Sequence, residues 1–249
     1  MKVSWVVLTA TVNVHRDAVV VMVDPALRLS QYLGSVARWL AMANDHGFRV
    51  MLVENSGADL RDFRLALPVE SRARLAVLEA DTPPEDVTRR GKGASESLMI
   101  DQAMHAIDTQ PTEWIAKVTG RLFVKNLSRA LPRHDEKLSL VMRGTLGGGY
   151  VDSRLLVARR ATWGTTLKGM AAEVDDPAHL FLEHVIARRV IDAERSAGLR
   201  VGRFRRAPQF VGVSGTSGQH FGGAMASLRG MFFSPLERAL RLTPRDKQF

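Results

Sequence analysis

Val3 to Thr9 is an unbroken apolar run rich in β-branched residues, the pattern of a central strand covered on both faces. Leu29, Leu33, Val36, Ala37 and Leu40 then recur at helical spacing, which predicts an amphipathic helix over residues 30–44 with His46-Gly47 as its stop. Phe48 to Val53 reads as a second buried strand, ending in the polar turn Glu54-Asn55-Ser56-Gly57. Strand, helix and strand of these lengths make a right-handed βαβ unit and so begin a parallel sheet. The pattern continues more loosely, with a short helix over 59–65, a strand over 74–78, and a loop over 81–93 marked by Pro83-Pro84, Gly91 and Gly93. Leu98, Ile100, Ala103, Met104 and Ile107 define a further helix, and Trp114 to Val118 a strand. Two more strands, Leu138 to Met142 and Val151 to Ala158, flank Gly147-Gly148-Gly149, and a long helix spans 177–196. No internal repeat interrupts this order. The expectation is one α/β domain over 1–222, with a mostly parallel central sheet flanked by helices, and a C-terminal helical tail over 223–249.

Composition narrows the chemistry. Of 249 residues, 45% are hydrophobic and 24% charged, which suits an ordered domain with a real core. The chain has no cysteine, so disulfides, thiolate metal sites and a cysteine nucleophile are excluded, and a reducing cytoplasm is the fitting compartment. The short apolar start is followed at once by Asn13, His15, Arg16 and Asp17, so it reads as a buried strand rather than a signal peptide. No run approaches the roughly 18 apolar residues of a spanning helix. A net charge of +9 favours an anionic partner: nucleotide phosphates, acidic lipid or nucleic acid. Nucleic acid is disfavoured because aromatics are only 6% and the basic residues are scattered among strand ends.

Ligands of open α/β sheets bind at the carboxyl ends of the strands. Three polar clusters fall at such ends: Thr9-Ala10-Thr11, Glu54-Asn55-Ser56-Gly57 and Lys117-Val118-Thr119-Gly120-Arg121. A fourth, Arg90-Gly91-Lys92-Gly93-Ala94-Ser95-Glu96, opens a helix, where free amides, glycines and a lysine suit a phosphate or diphosphate. The alternative is a plain tight turn at Gly91 and Gly93 with Glu96 capping the helix. Neither the Walker spacing nor a Gly-x-Gly-x-x-Gly after the first strand is present, nor is the Gly-x-Ser-x-Gly of a nucleophile elbow. The seven histidines show no zinc-like spacing, and no metal ligand is assigned.

The order of these clusters resembles the GT-A glycosyltransferases of bacterial surface-polysaccharide synthesis, those of capsule and lipopolysaccharide. The resemblance runs through Thr9-Ala10-Thr11, Glu54-Asn55-Ser56-Gly57, Gly91-Lys92-Gly93 with Glu96, Lys117-Val118-Thr119-Gly120-Arg121 with Asn126, Asp152-Ser153-Arg154 and Gly212-Val213-Ser214-Gly215. It implies a GT-A-like, Rossmann-related fold, a nucleotide-sugar donor held by the first half, and a saccharide or lipid-linked acceptor held by the second. Donor contacts would come from Thr9, Ala10, Thr11, Glu54, Asn55, Ser56, Lys92, Gly93, Glu96, Lys117, Thr119, Gly120 and Arg121. Arg154 and His184 would face the acceptor. Typical members carry an Asp-x-Asp for a divalent metal, Mg or Mn, where this chain has Thr119-Gly120-Arg121. Either Lys92, Lys117 and Arg121 neutralise the leaving phosphate directly, or Asp152 binds a metal from a neighbouring strand. Glu183 resembles the family's general base, with Asp152 as rival and an ordinary helix-surface carboxylate as the plain alternative.

The tail interleaves Met231, Phe232, Phe233 and Leu236 with Arg229, Arg238, Arg241, Arg245 and Lys247. That pattern fits either peripheral contact with anionic membrane, at the inner face of the cytoplasmic membrane, or docking on the core. A sugar nucleotidyltransferase is the competing enzyme class, but such enzymes place a glycine-rich loop directly after the first strand, and Thr9 to Arg16 holds no glycine.

Overall fold

The computed structural model describes residues 1–14, 21–133, 136–144, 149–214 and 218–222. The elements run β1 (Val3–Ala10), α1 (Pro25–His46), β2 (Arg49–Glu54), α2 (Arg61–Leu65), α3 (Val69–Arg72), β3 (Leu75–Glu79), α4 (Glu85–Arg89), α5 (Lys92–Ala106), β4 (Trp114–Thr119) and β5 (Leu122–Val124). They continue with α6 (Leu127–Ala130), β6 (Leu140–Val141), β7 (Leu155–Arg159), α7 (Arg160–Gly164), a 3-10 turn (Met170–Ala172), α8 (Leu182–Ala197), β8 (Val201–Gly202), β9 (Phe210–Val213) and β10 (His220–Phe221).

A seven-stranded sheet has the order β3-β2-β1-β4-β7-β6-β8. Strands β3, β2, β1 and β4 are parallel, β7 runs antiparallel to β4 and β6, and β8 is again parallel to β6. The mixed α/β class and the mostly parallel sheet are therefore as the pattern predicts. Along β1 the side chains alternate between two cores. Val6, Leu8 and Ala10 join Tyr32, Val36, Trp39 and Leu40 of α1 on one face. Trp5 and Val7 join Ile100 and Ala103 of α5 and Val185 and Ile186 of α8 on the other. That double cover is why the strand reads as continuously apolar.

A second, three-stranded sheet, β10-β9-β5, packs beside the end of β4. The sequence pattern does not predict it, because its strands are too short to show a period. Gly212 of β9 has φ +131°, and a Cβ there would lie 2.2 Å from the Arg121 carbonyl oxygen, so the sheet closes tightly on the β4–β5 turn.

Several boundaries differ from expectation for identifiable reasons. Helix α1 starts at Pro25, where Asp24 accepts the Ala26 and Leu27 amides and proline takes the first turn. It ends at Gly47 in the left-handed region, as expected. Its buried stripe is Arg28, Tyr32, Ser35, Val36, Trp39, Leu40 and Ala43, rotated from the predicted one, so Leu29, Leu33 and Ala37 lie at its margin. The long helix begins at Leu182 rather than 177, because residues 175–180 close a turn through an Asp175–Leu180 bridge and Asp175 takes the Ala178 amide. Residues 85–89, read as loop, form α4, and α5 opens inside the predicted loop at Lys92. The strand expected over 151–158 is confined to β7, and that over 138–142 to β6.

No helix among the described residues is long and apolar enough to cross a membrane. Gly147, Gly148, Gly215 and the tail over 223–249 lie outside the described residues.

Candidate active site

The parallel register brings the ends of β1, β2 and β4 side by side. Thr9 pairs with Val53 on one flank and Thr119 on the other. The Gly120 amide donates to the Thr9 carbonyl at 2.9 Å. A Cβ on Gly120 would stand 2.5 Å from that oxygen and 3.0 Å from the Tyr32 ring, so only glycine allows the two chains to approach this closely. Thr119 is fixed through its amide to the Arg154 carbonyl at 3.1 Å. Thr11 Oγ1 donates to Asn55 Oδ1 at 2.8 Å, and the Asn55 amide reaches the Ala10 carbonyl at 3.3 Å. The three predicted strand-end clusters thus meet at one edge of the sheet.

Their roles differ from those expected. Glu54 is buried, and its carboxylate is saturated from within the protein: Oε1 accepts the Val12 amide at 2.9 Å and the Ser56 hydroxyl, while Oε2 accepts the Ser56 and Ala58 amides at 3.0 and 3.2 Å. Ser56 Oγ in turn accepts the Val12 and Asn13 amides at 3.1 and 2.8 Å. These two residues shape the loops that follow β1 and β2, and neither has a group left for a donor.

The glycine-flanked opening of α5 is filled as well. Asp176 places its carboxylate against this turn, accepting the Gly93 amide at 3.0 Å and bonding the Lys92 amide. A Cβ on Gly91, whose φ is +102°, would meet Asp176 Oδ2 at 2.4 Å. The helix N-terminus does bind an anion, as its amides require, but that anion is the protein's own. Lys92 and Gly93 therefore do not cradle a phosphate with their amides. The Lys92 side chain is exposed and lies near both Asp176 and Glu96.

Glu96 faces inward one turn further along α5 and is not a helix cap. Its Oε1 accepts Lys117 Nζ at 2.7 Å and the Thr9 hydroxyl at 2.9 Å. Burial pushes the carboxyl up, yet the Lys117 and Lys92 charges with the Lys117 and Thr9 hydrogen bonds outweigh it and hold it at about 2. Lys117, in β4, is completely buried, and its ammonium also donates to the Ser153 carbonyl at 2.8 Å. As a donor-phosphate contact Lys117 is corrected: it is a strut inside the sheet edge.

From that strut the network continues into the second half. Ser153 Oγ donates to Glu183 Oε1 at 2.5 Å. Glu183 lies in the first turn of α8, half-buried, where the helix dipole favours a carboxylate. Next to it, His184 Nδ1 accepts the Phe181 amide at 3.2 Å and its ring stacks on Phe181, with Tyr150 edge-on at 5.4 Å. Burial and the Glu183 and Asp152 charges push the Tyr150 hydroxyl up, which marks how near it lies to both. Asp152 itself is bound in a fork by Arg154, through Nε at 2.8 Å and Nη2 at 2.6 Å, and that guanidinium lies over the Phe210 and Phe221 rings. Both oxygens of Asp152 are thereby engaged by Arg154, so neither the base nor the metal role expected of Asp152 finds an unpaired carboxylate, and Arg154 is paired with that carboxylate. An open groove of about 610 Å³ starts at His184 and follows α8 past Arg188, Ile191 and Arg195, but none of the strand-end residues lines it.

Arg28 and Tyr32, unremarked in the sequence, complete the sheet edge from α1. Arg28 Nε and Nη2 donate to the Thr11 carbonyl and Nη1 to the Met22 carbonyl. Arg121 lies beside them with Nε and Nη1 buried and without an acceptor. A buried N–H left unpaired costs about 1–3 kcal/mol, and more on a charged group. Spacing held a signal for two of these residues, since Arg28 and Tyr32 stand one turn apart on the stripe that continues to Val36. A charged residue on an apolar stripe asks for a buried partner.

No protein-family model matches this sequence, and comparison with curated proteins yields no match. Among solved structures the chain is similar to the galactosyltransferase LgtC in complex with donor and acceptor sugar analogues, at 12% identity and a TM-score of 0.51, over 97% of this chain and 98% of that one. It is also similar to the mannosyltransferase PcManGT from Pyrobaculum calidifontis in complex with GDP-Man and Mn2+, at 12% identity and a TM-score of 0.51, over 97% of this chain and 62% of that one. The fold is that of the GT-A glycosyltransferases.

Proposed function

We propose that this protein is a nucleotide-sugar-dependent glycosyltransferase that acts on a saccharide or lipid-linked acceptor in bacterial surface-polysaccharide synthesis. One observation carries the reading: the hydrogen-bonded series Thr9, Glu96, Lys117, Ser153 and Glu183 links the edge where donors bind in this fold to a half-buried carboxylate at the start of α8. The complexes of LgtC with donor and acceptor sugar analogues, and of PcManGT with GDP-Man, support it by analogy of fold. In the reaction an acceptor oxygen bonds to the anomeric carbon, the sugar–phosphate bond breaks, and its electron pair leaves with the nucleotide. The acceptor hydroxyl gives up its proton to Glu183. Thr11, Lys92 and Arg121 are kept as donor residues in this reading, Arg121 with buried N–H groups that have no acceptor, and His184 borders the acceptor side.

Typical GT-A enzymes hold a divalent cation at the end of β4. The residues here do not fit one: Thr119-Gly120-Arg121 offers no carboxylate and one fixed positive charge. Glu96 and Asp152, the carboxylates beside it, are bound by Lys117 and Arg154. Among the described residues no group of His, Asp and Glu gathers in metal-ligating number.

Thermal melting against a panel of nucleotides and nucleotide sugars tests the function. A donor that binds the folded state at 100 times its Kd adds about 2.7 kcal/mol of apparent stability, and at least one nucleotide sugar is expected to do so. Condensation of a sugar phosphate with a nucleoside triphosphate, and no sugar transfer, would instead assign a nucleotidyltransferase. The tail from Ala224 onward, rich in apolar and basic residues, is proposed to tether the enzyme to anionic membrane at the inner face of the cytoplasmic membrane. A chain truncated before Ala224 is expected to stop co-sedimenting with anionic vesicles while melting as the full chain does.

A further inference from the structure

Arg121 and Arg28 approach the same ring, Tyr32, at 5.7 and 6.0 Å, and both are more than nine-tenths buried. Arg28 is satisfied by carbonyl oxygens, which leave its charge unneutralised. Arg121 has two N–H positions with no acceptor; the other described side chains with a buried unpaired polar atom, Gln31 and Ser97, are uncharged. Glu96 is within electrostatic reach of Arg121, but its carboxylate is bonded to Lys117 and Thr9. Burial pushes the Arg121 guanidinium below its ordinary value, Tyr32 and Glu96 oppose the shift, and Arg28 adds to it. A guanidinium stays protonated under such pressure, so the strain is relieved by an anion rather than by loss of a proton.

Resting on the glycosyltransferase reading above, we infer that Arg121, with Arg28 behind it, binds the donor diphosphate directly and supplies the charge that a divalent cation supplies in typical GT-A enzymes. The inference deepens that reading: of the two alternatives it takes direct neutralisation over a metal, and of the three basic residues it takes Arg121. A planar guanidinium presents parallel N–H donors that match two phosphate oxygens. Its position follows from the fold. Gly120 presses the β4 end against β1, and Gly212 closes β9 over the Arg121 carbonyl, so the side chain is held beside Tyr32 at the strand edge. When the sugar–phosphate bond breaks, the electron pair it leaves on the departing oxygen faces a charge already in place.

Calorimetry of the full chain with inorganic diphosphate, first in EDTA and then in excess Mn2+, tests this. Affinity in EDTA is expected to be no weaker than in Mn2+, which itself complexes diphosphate. Arg121→Met is expected to weaken diphosphate at least about tenfold and to raise the melting temperature without ligand, because it removes a buried unpaired charge. A merely structural arginine would show the opposite thermal shift. Arg121→Lys is the second variant: it keeps the charge without the fork, and is expected to lose affinity while binding stays indifferent to EDTA. Diphosphate binding that depends on Mn2+, or an Arg121→Met chain that binds as the wild type does, overturns the inference. Nucleotide-sugar turnover measured in parallel separates the two proposals. Mn2+-dependent transfer defeats the inference and leaves the glycosyltransferase standing; EDTA-resistant diphosphate binding with no transfer does the reverse.

Discussion

Glu183→Gln is expected to lower kcat by about 10²–10⁴-fold while donor affinity stays at the wild-type value. The amide has the shape of the carboxylate, and its oxygen can still accept the Ser153 hydroxyl that now bonds Glu183 Oε1. What it loses is the capacity to take the proton that the proposed reaction removes from the acceptor. The cost should therefore fall on the chemical step, visible in single-turnover transfer and invisible in calorimetry with the donor. Asp152→Asn is the informative companion. Because Asp152 holds Arg154 in a fork, its amide should lower the melting temperature through a weakened pair. A loss of turnover in Asp152→Asn with unchanged melting, beside normal turnover in Glu183→Gln, would transfer the base role to Asp152.

Lys117→Met is expected to cost about 3–5 kcal/mol of stability, since it strands the Glu96 carboxylate inside the sheet edge. For a domain of this size each kcal/mol corresponds to about 2–4 °C of melting temperature, so a fall of roughly 6–20 °C should be seen. Adding Glu96→Leu to Lys117→Met should restore most of that loss, because an apolar pair carries no desolvation cost. If the double variant melts no higher than the single one, the pair is not the source of the effect. Acid titration gives an independent reading. The folded carboxyl of Glu96 is held at about 2, below its ordinary value of 4.5, so the pair's contribution is complete above 4.5 and is lost as pH falls from there through about 2. Other carboxylates titrate in that window, and the difference between wild type and the double variant isolates this one.

The doubly covered strands β1, β2 and β4 were legible because burial on both faces leaves an unbroken apolar run, and the polar residues ending each run lie together in the fold. The Gly47 stop of α1 was legible for a local reason, a left-handed residue after the last helical turn. Partnerships were not legible. The motif around Lys92 shows free amides and glycines, and nothing near it discloses that Asp176, 83 residues from Gly93, fills them. Lys117 likewise reads as a strand-end cation until the fold sets Glu96 against it. The same limit explains Glu54, whose four acceptor bonds come from loop amides and a hydroxyl that any turn of that composition could have left in water. Arg121 was placed correctly at the edge of the sheet, but its unpaired N–H groups follow from burial, which no spacing encodes.

The carboxylate of Asp176 at the start of α5 bears on how proteins of this shape can be recombined. Residues from the second half of the chain complete a helix of the first, and β9 closes over the turn that carries Arg121. A first half grafted onto a foreign second half would inherit α5 with its opening amides bare, and Gly91 and Gly93 facing a gap sized for a side chain that no longer comes. Redesign of such a scaffold therefore keeps α5 intact when loops are changed in place, with position 176 kept acidic, rather than when halves are exchanged.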